Sequence, residues 1–182
     1  VEIPAEWATA EDAADNTQLQ GNAATVKMVK DVMEPVSKMD GDSLPVSAFM
    51  DYVDGQFEQG ASAYEKRGVA VNVPEWNADN CIQCNQCAYV CPHATIRPFA
   101  LTEDEVANAP ASLKSKQMTG KGCENYKFTM VVSPLDCMGC GVCANVCPAP
   151  NKALTMVPQE SQAEQQDAFN YCVENIRKKD GM

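Results

Sequence analysis

Ten of the 182 residues are cysteine, and eight of these form two copies of one pattern. The first copy is Cys81, Cys84, Cys87 and Cys91, followed by Pro92; the second is Cys137, Cys140, Cys143 and Cys147, followed by Pro148. Both read C-x-x-C-x-x-C-x-x-x-C-P, with no ligand missing. A cubane iron–sulfur core presents four irons at tetrahedral corners, and each iron needs one thiolate. Steps of three residues in a tight loop wrap three sulfurs around three corners. The fourth cysteine comes one residue later, and the proline behind it stops the chain from continuing as a helix. Its sulfur therefore points away from the first three. Zinc is a competing chemistry, but a structural zinc site takes two separate C-x-x-C knuckles to build one tetrahedron. A disulfide framework suits secreted domains of fewer than about 80 residues, and these cysteines are too dense to pair simply.

The spacing is that of bacterial-type ferredoxins with two [4Fe–4S] clusters, in which the fourth cysteine of each run serves the other cluster. Cys81, Cys84, Cys87 and Cys147 are thereby assigned to one cluster, and Cys137, Cys140, Cys143 and Cys91 to the second. The crossing ties both clusters into one small fold, close enough for electrons to pass between them.

The elements that must position these loops repeat along the chain. A strand over Val69–Val73 is expected before the first run and another over Phe128–Val132 before the second. Short extended stretches, Ala94–Arg97 and Ala153–Val157, follow the two C-P pairs. The halves match at an offset of 56 residues, which predicts a pseudo-twofold β-α-β duplication. Between them, residues 98–127 form an insert. Thr102 and Glu105 give it a capping box and a short helix, which Pro110 ends. Its lysines, Lys114, Lys116, Lys121 and Lys127, make it the one basic area of an acidic chain, either a docking surface or a tolerated loop. A short amphipathic helix spans Thr25–Val36 on the spacing of Val26, Val29, Met33 and Val36, closed by Pro35 and Gly41-Asp42. At the C-terminus, Ser161 and Glu164 predict a second capping box. Phe169, Cys172, Val173 and Ile176 predict an apolar helix face, with Arg177, Lys178 and Lys179 at the helix end.

The fold class is therefore α+β: a two-cluster domain over 73–160, a small α/β linker domain over 1–72, and a C-terminal helix over 161–182. The net charge of −11 argues against nucleic acid. Eight thiolates and two cores of about +2 would carry it to roughly −15. No apolar run reaches the length of a membrane span, and no signal peptide opens the chain. Oxygen-sensitive clusters and free thiols lead us to expect the cytoplasm of an anaerobe. An opening at Val1 rather than Met hints at a fragment.

Three residues outside this scheme carry blander expectations. Cys172 reads as a small core residue, Cys123 as a free thiol in a Gly-rich loop, and His93, the single histidine, as a solvated loop residue beside Cys91. Ile82, Val90, Ile96, Met138, Val142 and Val146 are expected to keep water from the clusters. Small residues, Gly139, Gly141 and Ala144, let the backbone approach the second cluster closely, where the first run has Gln83, Asn85 and Gln86 instead. The two clusters are therefore expected to differ in potential.

Longer stretches resemble a known family. LPVSAF (Leu44–Phe49), the Asp54-Gly55 turn, AYEKRGVAV (Ala63–Val71), VPEW (Val73–Trp76) and CIQCNQCAYVCPHATIRP (Cys81–Pro98) look like pyruvate:ferredoxin oxidoreductase. The resemblance implies an EKR linker followed by a ferredoxin-like domain that wires electrons to external ferredoxin or flavodoxin. It implies that thiamine diphosphate, Mg and a third [4Fe–4S] cluster reside elsewhere in a large cytoplasmic homodimer that oxidatively decarboxylates pyruvate with coenzyme A. No catalytic residue is then expected in this chain, and the Glu65, Lys66 and Arg67 triplet takes a structural role. The alternatives are a free-standing two-cluster ferredoxin or an electron-transfer subunit of another oxidoreductase.

Overall fold

A computed structural model of the chain describes residues 19–179, together with Ala5. The chain divides into two compact units, Val1–Glu65 and Lys66–Met182.

Over residues 19–65 the first unit consists of short helices joined by turns, with no strand among its described residues. A small α/β linker domain was expected over 1–72, whereas residues 66–72 belong to the second unit. Helix α1 comprises an α-turn segment Ala23–Met28, a π-turn Val29–Met33 and a further α-turn segment Glu34–Ser37. The Asn22 side chain caps it, accepting from the Ala24 N–H at 2.8 Å. Pro35 does not close the helix as expected but lies inside it. Proline offers no N–H and crowds the carbonyl four residues back; the wider π-turn just before it gives that carbonyl room. The buried stripe is Thr25, Met28, Val29 and Val32. Val36, assigned to that stripe from spacing, is half exposed. Short 3₁₀ turns follow at Gly41–Ser43, Val46–Tyr52 and Ala61–Tyr64, and the Tyr64 hydroxyl donates to the Gln20 carbonyl at 2.6 Å.

The second unit is α+β. Strand β1 (Asn72–Trp76) pairs antiparallel with β5 (Leu154–Pro158), from Asn72 opposite Pro158 to Trp76 opposite Leu154. Strand β2 (Ile96–Leu101) pairs antiparallel with β4 (Lys127–Val132), and the two-residue β3 (Lys116–Gln117) covers the other edge of β4. The first strand lies three residues later than expected. Pro74 is tolerated because a two-stranded sheet is all edge. Val69 and Val71 are exposed while Val73 is buried, which fixes the register. Residues 98–101 of the expected insert belong to β2.

Central β4 separates two cores. Phe128, Met130 and Val132 face one side with Trp76, Ile96 and Leu154. Val131 faces the other with Leu101, Phe169 and Cys172, the last two from α5 (Gln165–Asn175). Helix α3 (Glu103–Ala107) carries the complete capping box between Thr102 and Glu105. The second expected box does not form. A 3₁₀ turn, Gln159–Gln162, occupies its place, and the Ser161 hydroxyl instead donates to the Pro158 carbonyl at 2.7 Å. Val173 is 40 % exposed, outside the inward face. The cations expected at the helix end lie beyond it, and Lys179 pairs with Glu105 at 2.8 Å.

Candidate metal centres

Each cysteine run is a tight loop entering one short helical turn. The first loop leads into α2 (Gln86–Tyr89) and the second into α4 (Val142–Val146). Both loops bend through left-handed backbone at matched positions: Gln83 and Asn85 at φ 60°, Gly139 at 69° and Gly141 at 73°. In each loop the N–H two residues past the first cysteine turns back on its sulfur. Gln83 donates to Cys81 Sγ and Gly139 to Cys137 Sγ, both at 3.4 Å. The fourth cysteines are held alike, Cys91 by the Thr95 N–H and Cys147 by the Ala153 N–H, both at 3.3 Å.

The folded chain gathers these sulfurs around two hollows. One is bordered by Cys81, Cys84, Cys87 and Cys147; the other by Cys137, Cys140, Cys143 and Cys91. Each hollow thus takes three cysteines from one run and one from the other. Among the described residues no group of three or more His, Cys, Asp or Glu side chains converges as the ligands of a single ion would. The sulfurs border a volume instead, as a polynuclear core requires.

The surroundings fit such a core. Trp76, Met130 and Leu154 wall the first hollow; Pro74, Ile96 and Met156 wall the second. Burial pushes the Cys87 thiol up to about 12 and the Cys143 thiol up to about 11, so bare thiolates are disfavoured there without cations beside them. Burial also opposes the Cys91 thiolate, but the Thr95 hydroxyl, 3.4 Å from the sulfur, and neighbouring backbone N–H groups outweigh it and bring that thiol below its ordinary value. Trp76 Nε1 and Asn85 Oδ1 are buried with no hydrogen-bond partner, and both residues line the first hollow. A buried polar group left unpaired costs about 1–3 kcal/mol, so these two atoms mark a place built for a polar guest.

Several expected neighbours stand elsewhere. Ile96 is buried, but Ile82, Met138 and Val142 are 55 %, 52 % and 42 % exposed and rim the mouths. Trp76 and Met130, whose part sequence reasoning missed, do the work of excluding water. Strand alternation was the available signal, because Met130 lies two residues from both Phe128 and Val132 on one face of β4. His93 is exposed on the rim of the second hollow. Cys123 is half-buried, and Cys172 is fully buried in the α5 core. Of the EKR triplet, Lys66 pairs with Asp136, the residue just before Cys137, and Asp136 also accepts from the Ser133 hydroxyl at 2.6 Å. The insert's lysines largely serve the fold. Lys114 pairs with Glu75 and Lys127 with Glu103, each at 3.1 Å. Lys116 donates to the carbonyls of Ala78 and Cys81 at 2.7 and 2.9 Å.

Comparison with known proteins agrees with this geometry. A family described as a 4Fe-4S dicluster domain matches residues 80–151, and the EKR family, described as a domain of unknown function, matches residues 14–70. The pyruvate-flavodoxin oxidoreductase of Enterobacter agglomerans is 46 % identical over 173 residues, 95 % of this chain and 14 % of its own length. The pyruvate:ferredoxin oxidoreductase of Moorella thermoacetica is 48 % identical over 177 residues, 94 % of this chain and 14 % of its own. Over nearly all of its length the chain is thus similar to one segment of these pyruvate oxidoreductases. The mitochondrial pyruvate dehydrogenase [NADP(+)] of Euglena gracilis shares the region at 42 % identity over 81 % of this chain and 8 % of its own. The chain thus spans about a seventh of the first two relatives. Its second unit is a ferredoxin-like domain for two [4Fe–4S] clusters. Among the described residues no helix is long and apolar enough to cross a membrane.

Proposed function

We propose that this chain is the electron-relay segment of a pyruvate:ferredoxin oxidoreductase. Cys81, Cys84, Cys87 and Cys147 hold one [4Fe–4S] cluster, and Cys137, Cys140, Cys143 and Cys91 hold the other. The carrying observation is the crossed gathering of the eight cysteines around two hollows. The strand pairing supports a pseudo-twofold duplication, because exchanging the halves turns the β1–β5 pair into the β4–β2 pair. When bound, the clusters supply one-electron carriers. The chain's own part is to orient the thiolates, aim N–H groups at sulfur and keep water out.

The relatives' names further support pyruvate as the electron source and ferredoxin or flavodoxin as the acceptor. Decarboxylation then belongs to parts of the enzyme outside this chain, where thiamine diphosphate, Mg and a third cluster act, within a cytoplasmic homodimer. Anaerobic reconstitution tests the reading. About eight irons and eight sulfides per chain are expected, with no pyruvate turnover by this chain alone. Zinc without acid-labile sulfide would overturn it.

A further inference from the structure

The two hollows are not equivalent in what their walls offer a cluster. Trp76 Nε1 is a buried donor without a partner in the wall of the Cys81–Cys84–Cys87–Cys147 hollow. The indole cannot turn away to find one elsewhere. It sits at the end of β1, 6 % exposed, and meets the Phe128 ring edge-to-face at 6.0 Å. No cysteine sulfur lies within hydrogen-bond reach of its nitrogen, so among the guests of that hollow the remaining acceptor is a sulfide of the core itself. Asn85 adds a second group. Its buried amide oxygen has no partner, and a half-turn about the Cβ–Cγ bond puts the amide NH₂ in that place. In the other half the matched positions are Val132 and Gly141, which offer no side-chain donor.

Charge follows the same division. Lys116 donates to the Cys81 carbonyl at 2.9 Å and Lys152 to the Cys147 carbonyl at 2.7 Å. Both ammonium groups are thereby fixed on ligand residues of the first hollow. At the second hollow, among the described residues, the side-chain contact to sulfur comes from the Thr95 hydroxyl, 3.4 Å from Cys91 Sγ. Hydrogen bonds to sulfur and nearby positive charge stabilise the reduced, more negative cluster and raise its potential.

We propose that the Trp76 indole N–H, seconded by the Asn85 amide, donates to the core sulfides of the cluster held by Cys81, Cys84, Cys87 and Cys147, and so makes it the higher-potential cluster of the pair. Trp76 is a tuning residue, not a catalytic one. In the relay, electrons would then rest on this cluster before leaving the segment.

This inference rests on the two-cluster reading, and the experiment separates the two. The chain is reconstituted with tryptophan carrying ¹⁵N in the indole ring and poised so that only the higher-potential cluster is reduced. Pulsed EPR then looks for ¹⁵N coupled to that cluster, and Trp76→Phe is titrated in parallel. The expected result is a coupling that Trp76→Phe abolishes, a fall in the higher midpoint potential and no change in the lower one. Two reduced clusters with no ¹⁵N coupling at the higher-potential one, or a shift confined to the lower one, overturns the tuning role and leaves the two-cluster reading intact. Should Trp76→Phe fail to keep its iron, the labelled native chain still decides. A chain that takes up only one cluster defeats the underlying reading instead.

Discussion

The two cysteine loops solve one geometric problem with different residues. Both pass through the left-handed region at the two positions between their first three cysteines. The second loop uses glycine at both. The first uses Gln83 and Asn85, and holds Gln83 by bonds from its amide to the Gln117 carbonyl at 2.8 Å and from the Thr119 N–H to its oxygen at 2.9 Å. The difference has a local cause. A Cβ on Gly139 would stand 2.9 Å from the Asn72 carbonyl oxygen, inside the approach of β1, whereas the first loop has room for a side chain that ties it to β3. Equal backbones thus come with unequal surroundings: one loop is braced by side chains, the other by close backbone contact.

The largest contrast should appear when iron is stripped anaerobically from the folded protein and thiols are alkylated near pH 8. Cys87 and Cys143 should react at least about a hundredfold more slowly than exposed Cys84 and Cys140, because burial keeps the first pair protonated and out of reach. Mass-spectrometric rates that are equal at all four positions would contradict the buried geometry.

Swapping the loop solutions comes next. Gly139→Ala should cost about 3 kcal/mol, from left-handed strain plus displacement of β1. Gln83→Ala, already at positive φ, should cost only about 1 kcal/mol for its lost hydrogen bonds. Denaturant midpoints of the reconstituted proteins measure both, and equal losses would break the contrast. A smaller effect is expected before the first cysteine of each loop. Asp136 pairs with Lys66, while its counterpart Asn80 donates to the Asn151 carbonyl at 2.9 Å. Asp136→Asn should cost roughly 1 kcal/mol and lose part of that effect in high salt. Asn80→Asp should be destabilising at every salt concentration, because a carboxylate cannot donate to a carbonyl. The smallest shift is expected from Thr95→Val. It removes one hydroxyl from Cys91 Sγ and should lower the potential of that cluster alone, as read by EPR titration.

The ligand set was legible from sequence because covalent spacing dictates how sulfurs wrap a core, and strand β4 was legible because an apolar run bounded by turns has few other uses. Strand β1 was expected over Val69–Val73 and instead runs on through Pro74 to Trp76, because an edge strand with no partner on that side tolerates proline. Pro35 misled in the same way, since a π-turn accommodates a proline that an unbroken α-helix rejects. Ser161 and Glu164 had the letters of a capping box, but the turn after Pro158 claimed the serine. The part played by Lys116 was hidden because it lies 35 residues from Cys81 in sequence. Trp76 and Lys152 lie near Cys81 and Cys147 in sequence, but cysteine spacing says nothing of which way their side chains turn; for Trp76 the pairing of β1 with β5 and the packing beside β4 decide it.

The crossed ligation is tested most directly by comparing the EPR spectra of three reconstituted variants, Cys91→Ala, Cys140→Ala and Cys84→Ala. Cys91→Ala and Cys140→Ala should disturb the same signal, although the two residues sit in different runs. Cys84→Ala should disturb the other signal, although it shares a run with Cys91. If Cys91→Ala and Cys84→Ala instead lose the same signal, each run holds its own cluster and the wiring described here is wrong.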